Sequence, residues 1–273
     1  MNIIVSTKYD NPSKYFNNRR YKKKSLDYWI YGLNPVIAAL KNESRNCQRL
    51  LCTKEVITKY SKIFNKLSTD RDIIIEEVTK KHINSHLEPD SRHQGVILRV
   101  KYLPDKKIDS SLKKFTKNSI ILALDQINDP QNVGAIIRSS VIFGCEGIII
   151  PKRNSPQESG LLAKSAAGAL EIANIYRVTN LSRTLIDLKK NNFWVLGLDV
   201  AAKKNLNTLN ISGPVVIVIG SEGKGLRLLT KKVCDSSITI EVSQEAIKNG
   251  IDSLNVSNAA SIALYAIKES RKV

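Results

Sequence analysis

Four small neutral polar side chains, Ser253, Asn255, Ser257 and Asn258, crowd into six residues just ahead of an apolar run, Ala259 to Ile267. The run reads as a helix, and Ser237-Ile-Thr-Ile-Glu-Val242 before it reads as a strand. A loop dense in hydroxyls and amides therefore feeds a helix N-terminus, where backbone N–H groups lack partners and the dipole leaves partial positive charge. One such residue suffices for an N-cap. Four in Gly250-Ile-Asp-Ser-Leu-Asn-Val-Ser-Asn-Ala-Ala-Ser261 point to a binding loop.

Two further loops carry unusual residues. Asp125-Gln-Ile-Asn-Asp-Pro-Gln-Asn-Val-Gly-Ala-Ile-Ile-Arg138 follows an apolar strand, Ile120–Leu124. Asp129-Pro130 is turn chemistry, Asn132 can cap the next helix, and Arg138 can offer a phosphate its planar fork. The plainer reading is a capped helix with a solvated arginine. Gly220-Ser-Glu-Gly-Lys-Gly-Leu226 follows Val215–Ile219. It is neither a Walker A loop nor a dinucleotide fingerprint, since its glycines fall at 220, 223 and 225 with Glu222 among them. A carboxylate there repels phosphate and suits a hydroxyl, an amine or a cation; the alternative is a tight turn with an exposed Glu222.

All three histidines lie before residue 94, far in sequence from these loops, so no Ser-His-Asp arrangement forms here. His82 and His86 share a helical spacing but lack a third ligand, and no metal site is expected. Cys47, Cys52, Cys145 and Cys234 form no C-x-x-C pair and read as reduced structural thiols. What the loops offer is positioning and electrostatic stabilisation rather than metal or covalent catalysis.

The elements that must hold these loops alternate. Strands are expected at Ile120–Leu124, Gly147–Ile150, Ile175–Val178, Trp194–Asp199, Val215–Gly220 and Ser237–Val242, and helices at Val133–Phe143, Leu161–Leu170, Leu181–Lys190, Leu226–Lys231 and Asn258–Ser270. Such alternation means an α/β fold with a mostly parallel sheet, and ligands in such sheets sit outside the carboxyl ends of strands. Ahead of it lies a small α/β domain, 28–102, with strands at Gln48–Cys52, Ile73–Val78 and Gly95–Val100 and helices from Asn34-Pro35, over Lys54–Leu67 and over Thr79–Leu87. A polar linker, 103–117, joins it to the second domain, 118–273. Residues 1–27 read as a basic tail, disordered or ordered by RNA.

The chain of 273 residues has 42% hydrophobic and 25% charged residues, an ordinary globular composition. Its net charge of +18 is not ordinary and selects polyanions, nucleic acid first. No apolar run reaches the ~20 residues of a membrane span, no secretory signal is expected, and a cytoplasmic protein follows, or a mitochondrial matrix one for a eukaryotic source.

Taken together, Asn132-Val-Gly-Ala-Ile-Ile-Arg138, Ile219-Gly-Ser-Glu-Gly-Lys-Gly225 and Ser253-Leu-Asn-Val-Ser-Asn258 resemble the three signature motifs of the SpoU-type RNA ribose 2′-O-methyltransferases of the SPOUT class. Ser165-Ala-Ala-Gly-Ala-Leu-Glu171, Arg177-Val-Thr-Asn-Leu181, Ile30-Tyr-Gly-Leu-Asn-Pro-Val-Ile-Ala-Ala-Leu40 and His93-Gln-Gly-Val96 extend the likeness over residues 29–270. The resemblance implies a trefoil-knotted methyltransferase domain, a small RNA-binding domain similar to ribosomal proteins, S-adenosylmethionine as methyl donor, and a homodimer through the knotted domain. It implies methylation of a guanosine ribose in 23S rRNA. The alternatives are a tRNA guanosine, an adenosine whose methylation confers antibiotic resistance, or RNA binding without catalysis.

By motif, Asn132, Arg138, Glu222, Ser253 and Asn255 form the implied catalytic set, and Gly220, Ile240 and Leu254 line the cofactor. Ser257 and Asn258 are left to start the helix. One segment departs from the family: Ile240-Glu-Val242 stands where Ile-Pro-Met is usual, and the loop to Ser253 is longer.

Overall fold

The computed structural model describes residues 27–209 and 211–271. The basic tail expected over 1–27 lies, but for Asp27, outside the described residues.

In chain order the elements are β1 (Asp27–Tyr31), α1 (Leu33–Lys41), β2 (Cys47–Cys52), α2 (Lys54–Asp70), β3 (Ile75–Glu77), α3 (Lys80–Asn84) and β4 (Val96–Lys101). Next come β5 (Ile120–Asp125), α4 (Pro130–Ile142), β6 (Gly147–Pro151), α5 (Gly160–Ala166), β7 (Ile175–Val178), α6 (Leu181–Lys190) and β8 (Trp194–Leu198). The chain ends through β9 (Lys204–Asn205), β10 (Val215–Gly220), α7 (Leu228–Val233), β11 (Ser236–Thr239), α8 (Gln244–Lys248) and α9 (Val256–Ser270). Most expected strands and helices stand within a few residues of these bounds. β1 and the short β9 and α8 were not expected, and the stretch expected as a polar linker holds a 3₁₀ helix, Asp109–Lys114.

Packing divides the described chain into two units, and one segment changes sides. The first unit runs to Pro104 and also takes Glu158–Glu171; the second takes Asp105–Gln157 and Ile172 onward. The stretch expected as one helix, Leu161–Leu170, is broken in two. Ala167 turns left-handed (φ 52°) and Gly168 follows (φ 99°), so α5 stops at Ala166 and a 3₁₀ turn, Ala169–Glu171, takes over.

In the first unit the sheet order is β1-β4-β2-β3, antiparallel except for the β2–β3 pair. Tyr31, Leu51 and Ile97 share one apolar cluster with Ile83 of α3. α5 lies so close to β1 that a Cβ on Gly160 would stand 2.5 Å from the Trp29 carbonyl oxygen. Arg45, 1% exposed, anchors this returned segment. Its Nη1 donates to Glu158 at 2.8 Å, its Nη2 to Glu171 at 2.6 Å, and Nη1 again to the Lys101 carbonyl at 2.8 Å. Burial opposes the charge, but the two glutamates outweigh it and hold the guanidinium's pKa above its ordinary value. The Tyr28 hydroxyl donates to Glu158 at 2.8 Å, and burial beside that carboxylate pushes the phenol's pKa upward.

The second unit is a seven-stranded sheet in the order β7-β6-β5-β10-β8-β11-β9, parallel at every described pairing. The continuous apolar run Val215–Ile219 lies at its centre, between β5 and β8, fully buried as a central parallel strand must be. Ile121, Ala123, Val216 and Val218 face Leu181, Leu185 and Leu188 of α6. Strand side chains alternate, so Leu122, Ile217 and Ile219 point to the opposite face, where α9 packs on β10 and on α4.

Candidate active site

β5 and β10 are parallel neighbours and release their loops at the same edge; the Gly220↔Asp125 pair closes their register. Asp125 is fully buried, and its carboxylate accepts from the backbone N–H of Arg227 at 3.0 Å and from its Nε at 2.6 Å. This bond fixes where the glycine loop re-enters the fold. Between them the loop folds back on itself: Ser221 N–H donates to the Gly225 carbonyl at 3.2 Å and Gly225 N–H to Ser221 at 2.9 Å. Gly223 (φ 78°) and Gly225 (φ 64°) take left-handed conformations that only glycine adopts cheaply. Glu222 is left exposed at the tip.

A Cβ on Gly220 would lie 2.1 Å from the Gly225 carbonyl carbon. Because that neighbour is backbone, Gly220→Ala is expected to cost about 1–3 kcal/mol by overpacking, read as a lowered urea midpoint.

Asn132 was expected as a helix cap. Instead Asp129 caps α4, accepting from Gln131 N–H at 3.0 Å and Asn132 N–H at 3.4 Å, with Pro130 at the first helical position. The Asn132 side chain is thereby released. At α9 the cap is Asn255 rather than Ser257 or Asn258: its Oδ1 accepts from the Ser257 N–H at 2.9 Å and hydroxyl at 2.6 Å.

These three side chains converge. Glu222 Oε1 accepts from Asn132 Nδ2 at 3.2 Å, from Asn255 Nδ2 at 2.7 Å and from the Val256 backbone N–H at 3.3 Å. Asn255 Nδ2 also donates to Asn132 Oδ1 at 3.1 Å. A carboxylate thus sits at the N-terminus of a 15-residue helix, where the macrodipole favours it. Ser261 Oγ donates to Ser139 Oγ at 2.7 Å, tying α9 to α4 behind the cluster.

The other expected residues stand apart from these bonds. Arg138 is exposed and makes no hydrogen bond or ion pair among the described residues. Ser253 is exposed and donates to Asp252 at 2.9 Å. Leu254 is exposed, and Gly220 is buried at the end of β10. Ile240 is half-buried just beyond β11, which stops at Thr239 rather than continuing to Val242. Asp125, Asp129 and Arg227 were missed. A lone carboxylate ending the apolar run Ile120–Leu124 was the available sign, because a buried charge requires a partner.

The segments that follow the adjacent strands β8, β10 and β11 expose large apolar side chains: Val200 68%, Leu228 69% and Leu229 70% at the start of α7, Ile251 62% and Leu254 42%. Burial pushes the Cys145 thiol up to about 12 and the Cys234 thiol up to about 11, so neither supplies a ready thiolate. The arrangement can hold hydroxyls and amides in fixed geometry beside an apolar ledge; it offers no nucleophile of its own.

A family model described as "SpoU rRNA Methylase family" matches residues 119–265, more than half the chain. The chain belongs to the SpoU rRNA methylase family. A second model, "RNA 2'-O ribose methyltransferase substrate binding", matches residues 29–105. Among relatives, the chain is 34% identical over 247 residues to the 23S rRNA (guanosine-2'-O-)-methyltransferase RlmB of Pasteurella multocida, covering 89% of this chain and 98% of that one. It is 39% identical over 183 residues to RlmB of Haemophilus influenzae, covering 66% and 72%. The SpoU methyltransferase AviRb of Streptomyces viridochromogenes, solved in complex with AdoMet, shares the fold with a TM-score of 0.77 at 20% identity, over 94% of each chain. The SpoU match spans Glu158–Glu171 as well, the segment whose packing lies with the first unit.

Proposed function

We propose that this chain transfers a methyl group from S-adenosylmethionine to a ribose 2′-hydroxyl, that of a guanosine in 23S rRNA. The observation that carries the reading is the convergence of Asn132, Asn255 and the Val256 N–H, from the starts of α4 and α9, onto one carboxylate oxygen of Glu222 in the glycine loop. The RNA class rests on the RlmB relatives, on the substrate-binding match and on the net charge of +18.

The residues present fit the methyl donor. The exposed apolar side chains Leu228, Ile251 and Leu254 suit a purine ring, and the space around Gly223 and Gly225 lets a ligand approach the loop closely. Gly220, Ile240 and Leu254 are the residues assigned to hold it. When bound, the donor supplies an electrophilic methyl group on a sulfonium. Everything else falls to the chain. The ribose hydroxyl is a weak nucleophile that must be held in line and must lose its proton as it attacks. Asn132 and Asn255 are locked by Glu222, so they meet the substrate in fixed orientation, and Ser253, whose proton goes to Asp252, adds an acceptor oxygen. Glu222 Oε2 remains open to accept from a substrate group.

Arg138 clamps the phosphate next to the reacting ribose and stabilises the developing alkoxide, while the proton leaves to solvent at this exposed site. A guanidinium stays protonated, so it stabilises charge rather than acting as the base. Arg138→Lys removes the bidentate fork and should cost roughly 1.5–3 kcal/mol of charge-assisted bonding, or about ten- to a hundredfold in kcat/KM. Near-wild-type activity with intact cofactor binding would end the clamp assignment.

The same reading carries a homodimer: Ile142 (61% exposed), Ile262 (40%) and Tyr265 (54%) leave an apolar strip on the paired helices α4 and α9. It also carries the trefoil knot in the second unit and a cytoplasmic protein with no membrane partner; among the described residues no helix is long and apolar enough to cross a membrane. The test is incubation of total RNA with labelled methyl donor and mapping of the 2′-O-methyl position. Label at one guanosine of 23S rRNA is expected. Label confined to tRNA would replace the substrate, and no label in any RNA would leave an RNA-binding protein without catalysis.

A further inference from the structure

In the first unit, the loop between α3 and β4 is bent into conformations that side chains rarely adopt: Asp90 (φ 62°), Gln94 (φ 57°) and Gly95 (φ 79°) are all left-handed. The bend is held from several sides. Gly95 N–H donates to His93 Nδ1 at 3.0 Å, and a Cβ on Gly95 would stand 2.7 Å from the Thr53 hydroxyl. Gln94 Oε1 accepts from Lys164 Nζ at 2.6 Å and from the Leu33 N–H at 3.3 Å. Such strain persists only where the surroundings over-determine it, and it collects at binding sites.

The bend lines a cleft of about 350 Å³ whose walls include Lys80, Ser91, Arg92 and His93. Lys164 stands beside it through Gln94. None of Lys80, Arg92 and Lys164 forms a salt bridge among the described residues. They act on one another's neighbourhood: burial first, and then Lys80 and Lys164, hold the His93 imidazole below its ordinary pKa, while burial and Arg92 lower Lys164. The acid in the cleft, Glu55, is turned back on its own helix. The Thr53 hydroxyl first, then the Glu55 backbone N–H and the charge of Lys80 hold its carboxyl below the usual range. Three cations and a histidine share the cleft with this one carboxylate and form no salt bridge with it, so the excess positive charge favours a further anion.

We propose that this cleft is a phosphate site in which Lys80, Arg92 and Lys164 grip the backbone of the substrate RNA. The proposal rests on the RNA-methylation reading and adds to it the residues of the first unit that hold the substrate. A phosphodiester brings the negative charge that Lys80, Arg92 and Lys164 lack as a salt-bridge partner, and it needs no base contact, so the cleft positions RNA without reading its sequence.

The experiment measures binding of a fluorescein-labelled 23S rRNA fragment by anisotropy across a salt series. It compares the full chain, the Lys80→Gln/Arg92→Gln double variant, Lys164→Gln, and a Lys62→Gln/Lys66→Gln control carrying the same charge change on exposed positions of α2. Circular dichroism confirms folding. The slope of log K against log salt should fall by about one for each cleft cation removed, and barely change in the control. Cleft variants that bind and slope like the control overturn the proposal. Inorganic phosphate and tripolyphosphate serve as competitors. If they bind the wild type but not the cleft variants while RNA binding is unchanged, the site takes free phosphate and the RNA assignment is lost. The methylation reading fails differently: wild-type chain that binds RNA with a cleft-dependent slope yet labels none of it keeps the cleft and loses the enzyme.

Discussion

Glu222→Ala is expected to lower kcat/KM by about a hundredfold, the cost of losing near-attack geometry at a site built on positioning, while leaving the far-UV spectrum unchanged. The reason is the number of donors that one oxygen collects. Glu222 Oε1 holds Asn132, Asn255 and the Val256 N–H at once, so truncation frees all three together. Asn255 would still cap α9 through Oδ1, so the helix survives. Its Nδ2 and that of Asn132 would then be free to rotate away. Glu222→Gln keeps one oxygen for the three donors but loses the charge that doubles the bond strength and turns Oε2 into an NH2 donor, so it should recover only part of the activity. Calorimetric titration with the methyl donor separates the outcomes. An alanine variant that binds the donor normally but turns over slowly fits a positioning role. Equal loss in both variants would show that the charge itself contacts the substrate.

Arg45→Ala should destabilise the first unit by about 3–5 kcal/mol, because it strands two carboxylates in the interior. The side chains of Glu171 and Glu158 are only 3% and 11% exposed, and both point at the guanidinium. Asn42 Nδ2 also bonds Glu171, at 2.8 Å, but a neutral amide cannot replace the lost charge. The measurement is the urea midpoint. Arg45→Met combined with Glu171→Leu should recover part of the loss, since it leaves one uncompensated carboxylate, Glu158, in place of two. An alanine variant as stable as wild type would show that water reaches the glutamates and that the cluster is not closed.

Legibility in the sequence followed the range of the interactions. Most strands of the second unit were readable as short apolar runs between turn residues, and Val215–Ile219 announced a strand buried on both faces; β9, only Lys204–Asn205, carries no such signal. The loops were readable as chemistry because polar residues gathered where apolar elements began. Assigning jobs within a loop was harder. Asp129, Asn132, Asn255, Ser257 and Asn258 are all good capping types, and sequence alone ranks them poorly. Pro130 marked Asp129 as the cap, since proline favours the first helical position, but it was read as turn chemistry. The Glu222 cluster joins residues 33, 34 and 90 positions apart, and no periodicity reports such contacts. The same holds for Arg45, whose partners lie 113 and 126 residues away. The break at Ala167 was hidden because alanine is the strongest helix former; Gly168 beside it was the only signal.

The return of Glu158–Glu171 to the first unit has a covalent consequence. The described chain passes between its two units three times, after Pro104, after Gln157 and after Glu171. A protease that cuts the connection after Pro104 leaves the first fragment held by packing on Glu158–Glu171, which stays covalently joined to the second unit, and the clipped protein should travel as one particle until denatured. Expressing the residues from 119 onward alone would carry α5 along without β1, exposing Leu162, Ala166 and Leu170 to water. The unit that bears the Glu222 cluster thus lends a loop of its own chain to its neighbour, and neither can be excised cleanly by a single cut.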